Sequence, residues 1–466
     1  KENPLHLFEY RQAFLNSNLI LDFGFTEGYK KTSSTKKSGE KSHFFSKFTK
    51  NFKGNNDAEN SLSLSIQDVS NDKYLKLYKI QSNLVDYNQD NLESSFNFTH
   101  ENNDLFVGLN ATVYETLKED YNDKYEYILP EVTVDKNLLS NKFGNLDLQS
   151  NLKFHNYDTN KLENFLVNDF NWSSNDMFLA TGVKTKVLGN LRNINYEAKN
   201  IDIYKKDTTS ELYGALGLQS ELDFIKVKGN KEQFLTPKIL LRYSPGSMRK
   251  IDTGSKLNPI NAFSMNRLNT KNNFETGLTG AIGLDYKLEA EDKDFDFSIA
   301  QIINEKENKK MASNSSLDEK LSDLVGTSRI SLNNNFSINY NFALDQNYKD
   351  VNYNEIGTKI DFGALNLDFN YLQEKKHIGN QDYFKTKIDL EKRNNGLFSF
   401  ETKRNLVSSS AEFYNLSYEY LNDCLRAGIV YRREFYNDSE LEPENSLMFK
   451  ITLSPFGKVN SPSFSQ

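Results

Sequence analysis

Apolar and polar residues take turns along this chain with a period of two. The run Phe336–Leu344 places Phe, Ile, Tyr, Phe and Leu on one side and Ser, Asn, Asn and Ala on the other. The runs Tyr414–Tyr420 and Leu447–Leu453 follow the same rule. Successive side chains of a β-strand point to opposite faces, so each run predicts a strand with one apolar and one polar face. A sheet of such strands must place its two faces in different surroundings.

The same alternation recurs along the whole chain and predicts an all-β fold. It is clear in Leu19–Phe23, Leu62–Ile66, Val107–Val113, Leu146–Phe154 and Leu365–Tyr371. A membrane-spanning strand needs about 9 to 11 residues and a turn adds roughly as many again, so 466 residues accommodate roughly 25 strands. Because single-chain bacterial barrels favour even numbers, we predict a large antiparallel transmembrane β-barrel of about 24 to 26 strands.

The pattern runs without an internal linker, so residues 1–466 are predicted to form one outer-membrane barrel domain. The alternative for residues 1–29 is that they end a preceding periplasmic domain. The chain starts at Lys1 without an initiator methionine, and we expect Lys1 to mark a cut inside a longer precursor. The longest breaks between strands are predicted to lie on the cell surface or in the lumen. They are Tyr29–His43, Tyr243–Phe274 and Asn304–Ser328.

Composition separates this chain from several other classes. The mean hydropathy of −0.68 is low for a membrane protein. A barrel, however, exposes only alternate residues to lipid, and aromatic residues make up 13% of the chain, which is unlike a disordered protein. No apolar run approaches the roughly 18 to 20 residues of a spanning helix. The net charge of −7 gives no nucleic-acid footprint, and no nucleic-acid partner is expected.

A soluble β-sandwich or β-solenoid is the alternative that alternation alone would favour. Two features favour the barrel instead. The polar side of strand after strand consists almost entirely of Asn, Asp, Ser, Lys and Gln, which leaves no second packed layer. Tyrosines also mark strand ends, as at Tyr125, Tyr127, Tyr348 and Tyr353, where a membrane barrel carries its interfacial aromatic girdle.

The sequence contains no recognisable catalytic or metal-binding motif. The five histidines are scattered, and no nucleotide-binding or zinc-protease pattern occurs, so neither catalytic residues nor a cofactor are predicted. Gly277, Gly280 and Gly283 lie in a strand-like run, where glycine allows close packing or bending. One helical turn is predicted in Ser316–Val325, from the spacing of its leucines.

Cys424 is the only cysteine. It is either an inert thiol or one half of a disulfide whose partner lies outside this chain. Unpaired thiols are uncommon in an oxidising periplasmic compartment, but the sequence by itself leaves both interpretations open.

Four blocks, in order, resemble the LptD family of lipopolysaccharide-assembly outer-membrane proteins, also called organic-solvent-tolerance proteins. The blocks are Tyr125–Glu131 with Pro130; Thr236–Pro245 with Pro237 and Pro245; Asn261–Gln301 with Asn266, Arg267 and Gln301; and Tyr418–Leu453 with Tyr431, Arg432 and Arg433. Ala300 stands where the family shows a glycine before the glutamine. Residues 1–120 share only the strand pattern.

The resemblance implies a barrel that inserts lipopolysaccharide or lipooligosaccharide into the outer leaflet of a Gram-negative outer membrane. It implies an N-terminal β-jelly-roll domain, whose end residues 1–29 would then include, and a disulfide from Cys424 to that part. It also implies a lipoprotein plug (LptE-like) and a periplasmic bridge protein (LptA-like) as partners. The cargo would leave through a lateral seam between the first and last strands. The seam residues are Leu447, Phe449, Ile451 and Leu453, with Pro4 near the first strand. The alternative function is a passive porin or small-molecule receptor barrel.

Overall fold

The structure of the protein is a computed structural model. It describes residues 4–27, 40–78, 80–87, 89–118, 123–158, 160–179, 182–333, 335–376, 379–392, 395–407, 410–422, 425–434, 445–453, 457–460 and 464–465. Most of the predicted break Tyr29–His43, and Cys424, lie outside these residues.

Nearly all of the regular structure is antiparallel β. The strands are β1 (His6–Ala13), β2 (Ser17–Thr26), β3 (Lys41–Lys53), β4 (Glu59–Val69), β5 (Asn91–Asn102), β6 (Leu105–Thr116), β7 (Tyr125–Asn141), β8 (Gly144–Tyr157), β9 (Lys161–Ser173), β10 (Met177–Phe178), β11 (Lys184–Lys199), β12 (Thr209–Glu221), β13 (Phe224–Lys228), β14 (Lys231–Ser244), β15 (Gly277–Ala290), β16 (Lys293–Asn304), β17 (Leu324–Leu332), β18 (Phe336–Leu344), β19 (Val351–Asp361), β20 (Leu365–Glu374), β21 (Gln381–Lys392), β22 (Gly396–Asn405), β23 (Ser410–Leu421), β24 (Leu425–Glu434), β25 (Asn445–Leu453), β26 (Gly457–Asn460) and β27 (Phe464–Ser465). The prediction of an all-antiparallel chain of about two dozen strands is confirmed.

Helical structure is confined to connections. One short α-helix, α1 (Tyr74–Tyr78), follows β4, and 3₁₀ turns occupy Asn55–Asp57, Asn261–Phe263 and Ser313–Ser315. In the described ranges, no helix has the length and apolar character needed to cross a bilayer.

The chain divides into two compact units. Unit 1 comprises Lys1–Asn175, Leu188–Ala215 and Thr270–Phe274. Its strands β1 to β9 each pair with the next in antiparallel register, as in Phe8 opposite Phe23. β9 then pairs with residues 188–199 of β11. This succession of hairpins follows the chain order, so neighbours in sequence are neighbours in the sheet.

Unit 2 comprises Asp176–Val187, Leu216–Asn269 and Glu275–Gln466. β14 pairs with β12, β13 and β15, and from β15 onward each strand pairs with the next as far as β25. The second edge of β25 pairs with β26 and β27.

The two faces of the strands differ as the alternation predicts. In β14 of unit 2, Ile239, Leu241 and Tyr243 are 49–54% exposed, whereas the intervening Leu240 and Arg242 are at most 2% exposed. In unit 1, Phe23 and Phe44 are exposed while Asp22, His43 and Phe45 are buried. Exposed apolar side chains and buried polar ones are the reverse of a soluble sheet. Residues of the polar face are buried because connecting segments pack on this face.

One local prediction is wrong. Ser316–Val325 forms no helical turn: Leu321 makes an isolated bridge to Ile303, and Leu324 begins β17. The leucine spacing resembles a helix, but pairing with β16 determines the backbone.

Candidate functional site

Two long connections of unit 2 fold back onto the polar face of its sheet, and they form the candidate site. The first, residues 245–276, joins β14 to β15, and its last part, Thr270–Phe274, belongs to unit 1. The second, residues 305–323, joins β16 to β17. Antiparallel neighbours place both connections at the same end of the sheet. We call them the first strap and the second strap.

A buried charge cluster holds the first strap to the sheet. Arg242 of β14 donates from Nε to the carbonyl oxygen of Met265 at 2.6 Å and from Nη2 to the carbonyl oxygen of Glu275. Arg267 of the strap donates from Nε to Oε2 of Glu275 at 2.8 Å, and its Nη2 reaches the other carboxylate oxygen. All three side chains are at most 4% exposed. We call them the arginine–glutamate cluster.

Further hydrogen bonds bind this cluster to β15 and to the strap backbone. Arg267 Nη2 donates to the hydroxyl of Thr279 at 3.0 Å, and the Glu275 amide donates to Oδ1 of Asn266 at 3.0 Å. A buried charge is tolerated when its partners and hydrogen bonds are complete. The predicted residues Asn266 and Arg267 therefore act together, with Glu275 as their common partner.

The charges of the cluster determine the ionisation of Glu275. Burial raises the pKa of its carboxyl group, but the positive charges of Arg267 and Arg242 and the hydrogen bonds from Arg267 outweigh that effect and leave the pKa below its ordinary value. Glu275 is consequently a carboxylate at neutral pH, facing two guanidinium groups.

Glycines admit the apolar side chains of the first strap. A Cβ placed on Gly283 would lie 2.8 Å from the ring of Phe263, and one on Gly217 would lie 2.6 Å from Sδ of Met265. Real Cβ atoms do not approach so closely, and a Cβ on Gly283 would also lie 2.7 Å from the Ile299 carbonyl oxygen, so this position requires glycine. At Gly217 a larger residue would displace the flexible end of Met265. The predicted close-packing role is confirmed for Gly283, whereas Gly280 has no such close neighbour and Gly277 has a φ of +120°.

The second strap is anchored by the amide side chains of β16. Gln301 donates from Nε2 to the carbonyl of Ser322 at 3.0 Å and accepts from the Tyr348 hydroxyl at 2.8 Å. Asn304 donates to the carbonyls of Leu317 and Glu319 at 3.2 and 2.6 Å. Gln301 of β16 thus holds the second strap as Arg242 of β14 holds the first.

The two straps also contact each other. The Ile251 amide donates to the carbonyl of Lys310 at 2.9 Å, and the Gly254 amide donates to Oδ1 of Asn314 at 3.1 Å. Buried Met248, Met311, Ala312 and Leu317 accompany these bonds. The straps therefore form one layer over this part of the polar face.

Farther from the straps, the polar face of unit 2 contains an open cavity of about 520 Å³. Its lining alternates in charge, with Arg329, Lys359 and Lys387 facing Asp361, Asp368 and Asp389. Mixed charges and amides along a face keep it hydrated.

Unit 1 carries a different cover on its polar face. Residues 70–90, which include α1, pack on strands β3 and β5 through a core of Phe45, Val69, Tyr74, Leu75, Ile80, Val85, Leu92 and Leu117. His43 lies beneath this segment, 2.9 Å from Oδ1 of Asp22 and 3.3 Å from the Tyr74 hydroxyl. Burial raises the pKa of Tyr74, so the hydroxyl keeps its proton. We call residues 70–90 the helical cover.

Arg192 makes a further buried ion pair in unit 1. Its Nε and Nη2 donate to the two carboxylate oxygens of Asp169 at 2.6 Å each, and its Nη1 donates to the carbonyl of Asn273 at 2.8 Å. The guanidinium carbon lies 5.3 Å from the centre of the Phe274 ring. Residues 270–274 are therefore held within unit 1 by an arginine as well.

The other predicted motif residues lie apart from the straps. Pro237 lies in β14, opposite Leu284 of β15, and Pro245 is exposed just after β14. Pro130 follows a cis peptide bond in β7, where the register with β8 shifts. Tyr431, Arg432 and Arg433 lie in β24, with the Arg432 guanidinium 5.0 Å from the Phe413 ring centre.

The seam residues Leu447, Phe449, Ile451 and Leu453 lie in β25, and Pro4 is exposed just before β1. Pairing between the first strand and β25 stays a prediction, and so does the disulfide of Cys424. Within the part of the chain that the structure describes, no group of three or more His, Cys, Asp or Glu is arranged to hold a metal ion.

Comparison with known proteins agrees with the motif blocks. A family model described as "LptD: LPS transport system D" matches residues 42–402. This stretch includes both straps, the helical cover and the first three blocks, whereas the fourth block lies beyond it. It begins at residue 42, so the expectation that residues 1–120 share only the strand pattern is wrong for residues 42–120. No curated protein matches the chain.

Proposed function

The chain belongs to the LptD family, and on that premise we propose that it inserts lipopolysaccharide or lipooligosaccharide into the outer leaflet of a Gram-negative outer membrane. The family is one of lipopolysaccharide transport, and its fold is a β-barrel. The proposal concerns transport and assembly, with no catalytic step.

The observation that carries the proposal is the opposition of the two faces in unit 2. Its exposed face is apolar, as Ile239, Leu241 and Tyr243 show, and suits contact with hydrocarbon. Its other face is amide-rich and charged, and part of it is covered by the straps. Lipopolysaccharide has the same division, with acyl chains at one end and a hydrated saccharide at the other. A two-faced wall therefore matches both halves of the cargo.

The lipid half requires an exit that avoids water. Each CH₂ group exposed to water costs about 0.8 kcal/mol, so several acyl chains cannot pass through an aqueous lumen unprotected. We infer that the saccharide passes along the polar face while the acyl chains leave sideways at the edge of β25. Net stabilisation of about 0.5–1.5 kcal/mol per hydrogen bond makes the opening of one short strand pairing feasible.

The driving force is proposed to come from partners. The sequence carries no nucleotide-binding motif. A periplasmic LptA-like bridge would deliver cargo in a continuous stream, and an LptE-like lipoprotein would occupy the lumen. The mixed-charge cavity lined by Arg329 and Asp368 is a suitable wall for such a hydrated passage.

Cys424 is proposed to form a disulfide with a cysteine outside this chain. In native cells the full-length protein should resist alkylation at Cys424 until a reductant is added. Rapid alkylation without reductant would contradict the disulfide.

Depletion in cells tests the function. We expect lipopolysaccharide to disappear from the cell surface and to accumulate inside, while uptake of small solutes remains intact. Unchanged surface lipopolysaccharide would refute the proposal. As a second measurement, the purified chain in planar bilayers distinguishes a porin: a large, steady ion conductance together with lost solute uptake on depletion would establish the passive channel instead.

A further inference from the structure

The apolar face of unit 2 ends in a group of lysines beside two short turns. β12 and β13 pair with β14 in one register, and β15 and β16 follow as neighbours. Directly opposed residues share a face, so this register defines rows of side chains across the strands. The last row before the turns is Lys228, Lys231, Ala290 and Lys293. Lys226 lies two residues earlier on the same face of β13, and we call these four lysines the lysine patch.

The lysine patch continues the surface that is proposed to contact hydrocarbon. Toward the middle of the strands this face carries Leu241 and Ile282, which are 54% and 51% exposed. Nearer the turns a mostly aromatic row follows, and it consists of Phe224, Leu235, Tyr286 and Phe297. The lysines come last. Aliphatic side chains, then aromatic rings, then long cationic side chains is the order in which a membrane protein meets the headgroup region.

The charges at this end of the apolar face are of one sign. In β13 to β16, all of whose residues are described, the apolar face carries no aspartate or glutamate. Lysines on the polar face of the same strands do have partners, since Lys238 pairs with Asp285 and Lys287 pairs with Glu289. Among the residues that the structure describes, no carboxylate pairs with a lysine of the patch. The strands therefore separate free lysines from paired ones.

The lysine patch is electrostatically unfavourable by itself. All four lysines are exposed, and Lys228 lies directly opposite Lys231, an arrangement that like-charge repulsion disfavours. An anion from outside the chain would relieve this repulsion. A phosphate group suits the position, because hydrogen bonds from an ammonium group to phosphate are strong and need no further partner from the protein.

The position of the patch indicates which leaflet it meets. It lies beside the two-residue turns 229–230 and 291–292, whereas both straps lie at the other end of the strands. Outer-membrane barrels have short turns on the periplasmic side and longer loops outside. In the proposed outer-membrane location, the patch therefore lies at the inner leaflet, which consists of glycerophospholipids.

We propose that the lysine patch binds the headgroups of anionic glycerophospholipids in the leaflet at the short-turn end. The lysines hold the headgroup phosphate, and the acyl chains lie along the aromatic row and the aliphatic residues beyond it. The inference rests on the proposed outer-membrane location, but it does not depend on the cargo.

A tryptophan beside the patch can report which lipids lie there. Phe224→Trp is made in the full-length protein carrying Trp172→Phe, because Phe224 is 52% exposed and lies two residues from Lys226. Vesicles of phosphatidylcholine contain a minor fraction of phosphatidylglycerol, with bromine close to the headgroup on one lipid or on the other. The matched reporter is Tyr243→Trp, which is on the same face at the far end of β14, in a row with Leu216 and Leu278.

We expect the reporter at 224 to detect brominated phosphatidylglycerol at about three times its bulk fraction. This enrichment should decrease with added sodium chloride, because the lysines are exposed and screened by salt. The reporter at 243 should detect the bulk composition of the vesicles.

Replacement of the lysines tests the patch itself. The triple variant Lys226→Gln/Lys228→Gln/Lys231→Gln should abolish the enrichment at 224. The control Lys238→Gln/Lys287→Gln/Lys385→Gln removes the same charge from lysines that pair with carboxylates, and it should leave the enrichment unchanged. Heat-modified gel mobility shows that each variant is folded.

Three results would overturn the proposal. They are bulk composition at 224, an enrichment that salt does not reduce, and an enrichment that persists in the folded triple variant. The salt titration needs no lysine variant, so the proposal is tested even if the triple variant does not fold.

These outcomes are separate from failure of the proposed function. Quenching by neither lipid at either reporter would remove the bilayer contact on which the inference rests. Unchanged surface lipopolysaccharide after depletion would refute transport, whereas the reporters would still measure which lipids lie at the patch.

Discussion

The polar faces of the two units are covered in chemically different ways. In unit 1 the helical cover packs through an apolar core around Tyr74 and Leu75, with one buried Asp22–His43–Tyr74 chain of polar contacts. In unit 2 the first strap is held by the arginine–glutamate cluster, in which Glu275 faces Arg242 and Arg267. One attachment is a small hydrophobic core, and the other depends on charge.

Because one attachment is apolar and the other ionic, the two covers should respond differently to their surroundings. Apolar packing does not depend on charge, so the core of the helical cover should respond little to salt. A buried ion pair is costly to desolvate and fails sharply when one partner is removed. The first strap is therefore held by an attachment that depends on the charge of Glu275.

The largest effect should follow Glu275→Gln. The substitution leaves the buried charges of Arg242 and Arg267 without a carboxylate, at a cost of about 3 to 5 kcal/mol. We expect faster hydrogen exchange and tryptic cleavage at Lys250 in the first strap, with no change in residues 70–90. The control is Glu289→Gln, whose partner Lys287 is half-exposed, so its effect should be under about 1 kcal/mol. Equal effects from the two variants would contradict an ionic attachment of the first strap.

Leu75→Ala tests the apolar packing of the helical cover. Leu75 is 1% exposed, and truncating a buried leucine costs about 2 to 5 kcal/mol. The helical cover should lose protection against hydrogen exchange to the same extent at low and high salt, while the first strap is unaffected. Leu15→Ala, at a 98% exposed position, is the matched control and should be silent. A salt-dependent loss in the Leu75 variant would contradict an apolar attachment.

Tyr74→Phe should have a smaller effect. It removes the hydroxyl that lies 3.3 Å from His43 Nδ1 and keeps the ring in the core, so we expect a loss of about 1 to 2 kcal/mol in urea unfolding. Tyr10→Phe, whose hydroxyl bonds an exposed glutamine, is the comparison. If both substitutions are silent, the Asp22–His43–Tyr74 contacts contribute nothing measurable to the helical cover.

Acidification should loosen the first strap without any substitution. Because the pKa of Glu275 is lower in the folded than in the unfolded chain, its contribution is complete above the ordinary glutamate pKa and disappears as pH falls through the folded-state value. Hydrogen exchange in the first strap, corrected for the intrinsic pH dependence, should be constant from pH 7 to about 5 and rise below about 4.5. The reference is the Glu275→Gln variant, whose first strap should show no additional rise over this range, and the same rise in that variant would contradict the role of Glu275.

Periodicity predicted the strands well, because a period of two is a local signal that each strand carries by itself. It assigned Phe336, Ile338 and Tyr340 to one face of a strand and Asn339 to the other without reference to distant residues. It also placed Tyr243–Phe274 and Asn304–Ser328 as long connections. The motif blocks included Asn266, Arg267 and Gln301, which the structure places in the contacts that hold the two straps.

The contacts that attach the covers could not be predicted from local sequence patterns. Arg242 and Glu275 are 33 positions apart in the chain, and only the fold brings them together. α1 has five residues, too few to be stable alone, and it is helical because Tyr74 and Leu75 pack into the core of unit 1. At Leu321 and Leu324, in contrast, the sequence pattern predicted a helical turn that does not form. Leu321 instead forms a bridge to β16, and Leu324 begins β17.

The central claim is that the apolar face of the strands contacts hydrocarbon while the polar face does not. Fluorescence quenching by lipids brominated at mid-chain measures this directly, using Ile338→Trp and Asn339→Trp, each with Trp172→Phe, in vesicles. These neighbours lie in β18 on opposite faces. We expect strong quenching for the variant at 338 and little for the one at 339. Equal quenching at both positions, or stronger quenching at 339, would contradict the claim.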